Sequence, residues 1–270
     1  MTIALVDGDI VAYRCAASAD TEEDVSIALI RVDALMQEIM SAVGATGHNV
    51  FLSGSKEANF RYKVDPQYKA NRLSMVKPIY LDSCKEFLVT NWKAERCEGY
   101  EADDGMGMAQ KDSGTVICSI DKDLLQVPGS HYNFVKRHHS VVTPDEGLRS
   151  FFVSTLVGDR SDNVIGVHGI GPVKAGKILD HLLPEEYYEA CREVYNDDIR
   201  YHSNCQLLWI WRKPNDLWQP PGVCCGGKDD AWKEPDLSCA EHHASARNTT
   251  VSKNRDTTSQ DVLDLGDLPW

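Results

Sequence analysis

The chain has 270 residues, 28 basic and 41 acidic, for a formal net charge of −13. That length makes one large domain or two small ones, and 42% hydrophobic with 26% charged residues is the composition of a soluble globular protein. The longest apolar runs, such as residues 2–6 and 206–211, fall far short of the roughly 18–20 residues that span a bilayer. No secretory signal is visible at the N-terminus, and nine cysteines without a disulfide rhythm fit a reduced, cytoplasmic setting. Taken whole, the acidic total argues against a nucleic-acid binder.

Residues 3–6 are an apolar run ending at Asp7-Gly8-Asp9, which reads as a buried strand delivering a carboxylate at its C-terminal end. Apolar residues from Val25 through Val32 and Ile39 to Val43 recur at helical spacing, so a helix is expected over about 22–43, with Thr21 as N-cap and Gly44 as its stop. Residues 49–53 and 115–120 read as further strands, the latter ending at Asp121, with helical patterns at about 78–92 and 101–111. Such alternation implies a mostly parallel sheet, whose sites form outside the carboxyl ends of the strands. From 144 the pattern is helical only. Thr143-Pro144-Asp145-Glu146 opens a helix running to Val157, a Gly-rich turn at 166–171 precedes a helix over 172–183, and another spans about 185–196. The expected organisation is an α/β domain over 1–143, a helical subdomain over 144–213, and an acidic, disordered tail over 214–270. Cys224, Cys225, Cys239, His242 and His243 are too irregularly spaced in that tail for a zinc site.

The acids form a constellation. Asp7 ends the first strand, Glu101-Ala102-Asp103-Asp104 opens a helix, Asp121-Lys122-Asp123 follows a strand, and Gly158-Asp159-Arg160-Ser161-Asp162 precedes the Gly-rich turn. Each alone reads as capping or solvated surface, but together they cannot stay charged without cations. Oxygen-only donors select Mg²⁺ or Mn²⁺, and two such ions suit in-line attack of water on a phosphodiester without a His, Ser or Cys nucleophile. The net charge divides accordingly. Residues 1–214 carry −8, which these eight acids (7, 101, 103, 104, 121, 123, 159 and 162) account for, and residues 215–270 carry −5. Residues 61–96 are net +4, and the stretch from Arg61 to Arg72 mixes basic and aromatic side chains, as suits a surface that tracks a nucleic-acid strand.

The segment Gly171-x4-Gly176-Lys177 fits most of a phosphate-binding loop, yet Ile178 occupies the Ser/Thr position and no strand precedes it. A helix–hairpin–helix fits better. Gly169 and Gly171 allow close approach to a DNA backbone, amides of the next helix can hold a phosphate, and Lys174 and Lys177 add charge.

Leu5-Val-Asp-Gly-Asp9, Tyr68-Lys-Ala-Asn-Arg72, Glu101-Ala-Asp-Asp104, Asp121-Lys-Asp-Leu124, Gly158-Asp-x-x-Asp-Asn163 and Gly166-x-x-Gly-Ile-Gly171 occur in that order. In this the chain resembles the 5′-nucleases of the flap endonuclease / 5′–3′ exonuclease superfamily, particularly its phage and bacterial branch. The resemblance implies a PIN-like mostly parallel sheet with flanking helices, joined to a helical helix–hairpin–helix subdomain. It implies one metal group around Asp7, Glu101, Asp103 and Asp104 and another around Asp121, Asp123, Asp159 and Asp162. In the basic arch segment, about 60–96, it implies that Lys69 and Arg72 contact the scissile phosphate and that Tyr68 stacks near the 5′ end, with Arg61 also facing DNA. It implies a K⁺ ion at the hairpin turn. DNA with 5′ ends, flaps or RNA/DNA junctions is the expected partner of a monomeric enzyme in the cytoplasm, that of the host if the protein is phage-encoded, and the tail is a candidate contact for replication proteins. One departure stands out. The family has an Asp at the end of the second strand, where this chain has Ser53, so the first metal group is weakened, relies on water or borrows Glu57. A PIN-type or RNase H-like ribonuclease and a catalytically weak DNA-structure-binding protein remain the alternatives.

Overall fold

β1 (Ile3–Asp7) is buried on both faces, as a central parallel strand requires. It pairs in parallel with β2 (Gly47–Ser53) on one side and β4 (Thr115–Cys118) on the other. β3 (Glu95–Cys97) and β5 (Gly129–Asn133) extend the parallel array outward, and β6 (His138–Val142) closes it as an antiparallel edge, giving the order β3-β2-β1-β4-β5-β6. Between them run α1 (Gly8–Ser18), α2 (Val25–Ala42), the single turn α3 (Arg61–Val64), α4 (Leu81–Trp92) and α5 (Ala102–Ala109). This is the expected mostly parallel sheet flanked by helices. The structure, a computed structural model, describes residues 1–111 and 113–221; most of the expected acidic tail, with its Cys and His residues, lies outside them.

The sheet brings the strand ends together. Asp7 pairs in register with Phe51, and Val6 with Cys118, so Asp7, Ser53 and Ser119 gather at one edge. Asp7 is also the N-cap of α1, accepting from the Ile10 amide at 3.0 Å. The helix therefore starts with no intervening turn residue, and nothing in the sequence announces it. Asp24, not Thr21, caps α2, accepting from the Ser26 amide at 2.8 Å. Ala16, Val32, Met36 and Leu88 fill the core between this helical layer and the sheet.

After Thr143, which caps α6 (Pro144–Val157) through a reciprocal pair with Glu146, a second core forms. α6, α7 (Pro172–Leu179), α8 (Tyr187–Tyr195) and α9 (Asp198–Leu208) pack Phe151, Leu156, Leu179, Cys191, Tyr201 and Trp218 together. This half is not helical throughout. Gly158, at φ +75°, turns the chain out of α6 into a two-strand hairpin, β7 (Gly158–Asp159) and β8 (Val164–Ile165).

Arg61 joins the two cores. Its guanidinium is forked onto Asp104, Nη1 to Oδ2 at 2.5 Å and Nη2 to Oδ1 at 3.0 Å. It also donates to the Leu207 carbonyl at 2.8 Å and the Trp209 carbonyl at 2.9 Å. Arg61 is 2% exposed and Asp104 0%, and Asp104 further accepts from the amides of Glu101 and Trp211. A buried pair of this kind is costly to break from one side, about 3–5 kcal/mol, because the remaining charge is stranded. Arg61→Met should therefore lower Tm by roughly 10 °C, and Arg61→Lys should rescue little, since an ammonium cannot form the fork. Thermal unfolding within about 2 °C of wild type would contradict this role.

Candidate metal centre and nucleic-acid interface

The carboxylates of the sequence motifs meet above the strand ends. Asp7 is 3% exposed, and its second oxygen accepts from the Ser119 hydroxyl at 2.9 Å. Burial, then the charge of Asp9, pushes its pKa up to about 7. Asp103, in the first turn of α5, is driven well above the ordinary range by burial and by the charges of Asp121, Asp7 and Glu101. Asp121, held by the Asp123 amide at 2.8 Å, is raised by burial and by Asp162 and Asp159. Asp123 is raised strongly by burial, Asp121 and Asp159. Asp159, although burial opposes it, is held low by hydrogen bonds, chiefly from Ser161, whose amide and hydroxyl lie at 2.6 and 2.7 Å. Residues from β1, α5, the segment after β4 and the β7–β8 hairpin thus share one electrostatic environment.

A second set is already neutralised by protein cations. Glu101 accepts from Lys69 at 2.7 Å, Asn59 at 3.1 Å and the Tyr68 hydroxyl at 3.1 Å. Burial opposes its ionisation, but Lys69 and then Arg61 pull its pKa down to about 2. Asp162 accepts from Tyr68 at 2.7 Å and from Arg72 at 2.5 Å, with Lys69 at 3.6 Å. Lys69, at φ +53°, begins the tight turn of residues 70–74 and so points its ammonium back into the acids.

Three expectations need correction. Asp104 is not placed to hold an ion, because both its oxygens are taken by Arg61 and by backbone amides in a fully buried site. Arg61 is committed to that pair and does not face a DNA strand. Tyr68 is 1% exposed, its ring packed in the helical core and its hydroxyl spanning Glu101 and Asp162, so it has no free face for a base. Ser53 supports the start of α5, its hydroxyl accepting from the Ala102 amide at 3.1 Å, and Glu57 is exposed in the turn after β2.

The Gly-rich turn lies on the surface between β8 and α7. Gly169 has φ +75°, a conformation that favours glycine, and Gly171 precedes α7. Lys174 and Lys177 are exposed, and Lys174 donates to the Gly169 carbonyl at 2.9 Å.

The raised acids set a pH dependence. A carboxyl whose folded pKa exceeds its unfolded value binds more protons in the folded protein, so stability falls as pH rises between the two. For Asp7 that window runs from 3.8 to about 7. Glu101 acts in the opposite sense, but its contribution is complete above its ordinary value of 4.5. In EDTA, Tm should fall between about pH 5 and about pH 7.5, and Mg²⁺ should restore more at the upper end. A flat or rising Tm across that range would contradict the assignment.

Comparison with known proteins accords with this geometry. The family model described as 5′-3′ exonuclease, N-terminal resolvase-like domain, matches residues 2–151. A 5′-3′ exonuclease of Buchnera aphidicola is 28% identical over 222 residues, spanning 74% of this chain and 75% of the relative. One from Mycoplasma pneumoniae is 30% identical over 213 residues, 65% of this chain and 70% of the relative. DNA polymerase I of Borreliella burgdorferi matches at 32% over 154 residues, 49% of this chain but only 17% of that longer protein. Among solved structures, a 5′-exonuclease of bacteriophage T5 with bound zinc has a TM-score of 0.62 at 18% identity, covering 77% of this chain and 88% of the other. A bacteriophage T5 flap endonuclease in complex with DNA and metal ions has a TM-score of 0.59 at 19% identity, covering 77% and 89%. These two likenesses bear on the fold. With more than half of its length matched by the family model, the chain belongs to the 5′-3′ exonuclease family.

Proposed function

We propose that the protein is a divalent-metal-dependent 5′–3′ exonuclease and flap endonuclease that hydrolyses phosphodiester bonds of DNA near 5′ ends and junctions, the chemistry of primer removal or DNA degradation in replication. The observation that carries this reading is the meeting of buried Asp7 with half-buried Asp103, Asp121 and Asp123, whose desolvation and mutual charge raise all four pKa values. No three His, Cys, Asp or Glu side chains among the described residues are already closed tightly enough to hold an ion. The donor chemistry nevertheless fits Mg²⁺ or Mn²⁺, being all oxygen. Among the described residues the Asp103 carboxyl has neither hydrogen bond nor ion pair, and it lies among like charges. Asp7 and Asp103 would hold one ion, and Asp121, Asp123 and Asp159 the other; Glu101 and Asp162, expected in these two groups, are instead engaged by Lys69 and Arg72. Such ions activate a water molecule and draw charge from the phosphoryl oxygens.

The remaining work falls to the arch base and the turn. Lys69 and Arg72, held by Glu101 and Asp162, stand where cationic donors can orient a scissile phosphate. Tyr68 fixes the spacing of the two acids that hold them. Lys174, Lys177 and the amides opening α7 would take the backbone of the adjoining duplex. A K⁺ ion on the turn carbonyls would share the Gly169 oxygen with Lys174.

With 5′-labelled flap DNA, short 5′ products should appear only with Mg²⁺. Flap binding without Mg²⁺-dependent cleavage would instead support a structure-binding protein, and preferential cleavage of a matched RNA strand would support a ribonuclease. Asp121→Asn should abolish cleavage while leaving DNA binding nearly intact; wild-type turnover in that variant would remove the metal assignment. Lys69→Ala should slow single-turnover cleavage about a hundredfold while weakening duplex binding far less. Equal losses would place Lys69 in general backbone contact.

A further inference from the structure

β2 ends on Ser53, which brings no charge to the cleft, yet the corner between β1 and β2 is not uncharged. Asp9, in the first turn of α1, turns its carboxylate across to β2, where Oδ2 accepts from the Ser53 amide at 2.8 Å. Its other oxygen meets Lys85 Nζ, on α4, at 2.6 Å. Both members of the Asp9–Lys85 pair are partly open, 26% and 24% exposed in their side chains, and each carboxylate oxygen keeps a lone pair beyond the one partner it has. An acid complementing the N-terminus of α1 needs neither the strand-end amide nor an ammonium brought in from a helix that begins 72 residues later. These contacts fix its orientation at the β1–β2 corner.

We propose that Asp9 is an additional acidic group of the cation-binding cleft, supplying at the β1–β2 corner the negative charge that Ser53 lacks, and that Lys85 sets how much of that charge a bound cation feels. The proposal rests on the divalent-cation reading of the cleft. Ser53 and Asp9 then act as a unit. The serine hydroxyl accepts from the first amide of α5, which carries Asp103, while its own amide donates to Asp9, so one residue touches both Asp9 and the helix that bears Asp103. Lys85 has two consequences. It ties α4 to the first turn of α1 beside the cleft, and its positive charge opposes a cation beside Asp9.

The two roles of this pair separate by sign in a titration of the full chain with Mn²⁺ alone, followed by calorimetry and by the EPR signal of free Mn²⁺. Asp9→Asn should weaken one class of Mn²⁺ site about tenfold, the scale seen when groups supporting metal ligands are removed, leaving the other class unchanged. Lys85→Met should tighten the same class severalfold. A pair that only clamps α4 to α1 would lower Tm in both variants and leave both Mn²⁺ classes as in wild type, and that result overturns the proposal. Should Asp9→Asn fail to fold, Lys85→Met decides alone: tightened Mn²⁺ supports the proposal, and unchanged or weakened Mn²⁺ overturns it. Absence of Mn²⁺ binding by the wild-type chain would overturn the cation reading of the cleft and this inference with it. Normal wild-type binding with an Asp9→Asn isotherm that superimposes on it would overturn the inference alone.

Discussion

Gathering carboxylates above the ends of parallel strands confronts the protein with its own electrostatics. Like charges in a partly desolvated cleft must be protonated, paired or bridged by cations, and this chain divides its acids among those three outcomes. Asp104 is paired outright with Arg61 and serves to join the two cores. Glu101 and Asp162 are neutralised by Lys69 and Arg72 and share the Tyr68 hydroxyl between them. Asp7, Asp103, Asp121 and Asp123 have no cationic partner within ion-pair distance among the described residues, and they are the four whose pKa values rise. The acids left to repel one another mark the place for the cations that the chemistry requires.

The same division explains the arch base. Its cations are drawn inward by Glu101 and Asp162 rather than outward to solvent, so the positions of Lys69 and Arg72 depend on acids contributed by α5 and by the β7–β8 hairpin. Tyr68 touches both acids while its ring is locked in the helical core. Displacement of either half of the protein would therefore disturb Tyr68, Lys69 and Arg72 together. The exposed turn before α7 has no such burden, and its lysines remain open.

Much of the sheet was legible in the sequence because β1, β2 and β4 are apolar runs and α2, α4 and α6 keep a helical period. α1 was not, because Asp7 is both strand end and helix cap and leaves no turn residue between them. β5 and β6 carry Ser, His and Asn in place of an apolar alternation, and α9 is mostly polar, with Asn204 buried among the Tyr201, Cys205 and Leu208 of its inward face. At the site, residue type identified the acids but not their fates. Arg61 and Tyr68 belong to a stretch whose composition suits a strand-tracking surface, yet tertiary packing turns both inward. The spacing Glu101-x-x-Asp104 carried a usable signal for Asp104, since an acid three residues into a helix commonly reaches back to the cap amide, as it does here. Asp9 offered no signal beyond its place beside Asp7, because its role depends on a strand and a helix far along the chain.

If the cleft acids hold protons that bound cations displace, cation binding must release them. Calorimetric titration of the wild-type chain with Mg²⁺ at about pH 6.5, repeated in buffers of different ionisation enthalpy, measures the protons released per ion. The account predicts release of about one proton or more per chain, declining as pH rises above the Asp7 value of about 7. Saturable Mg²⁺ binding with no proton release at that pH would contradict it.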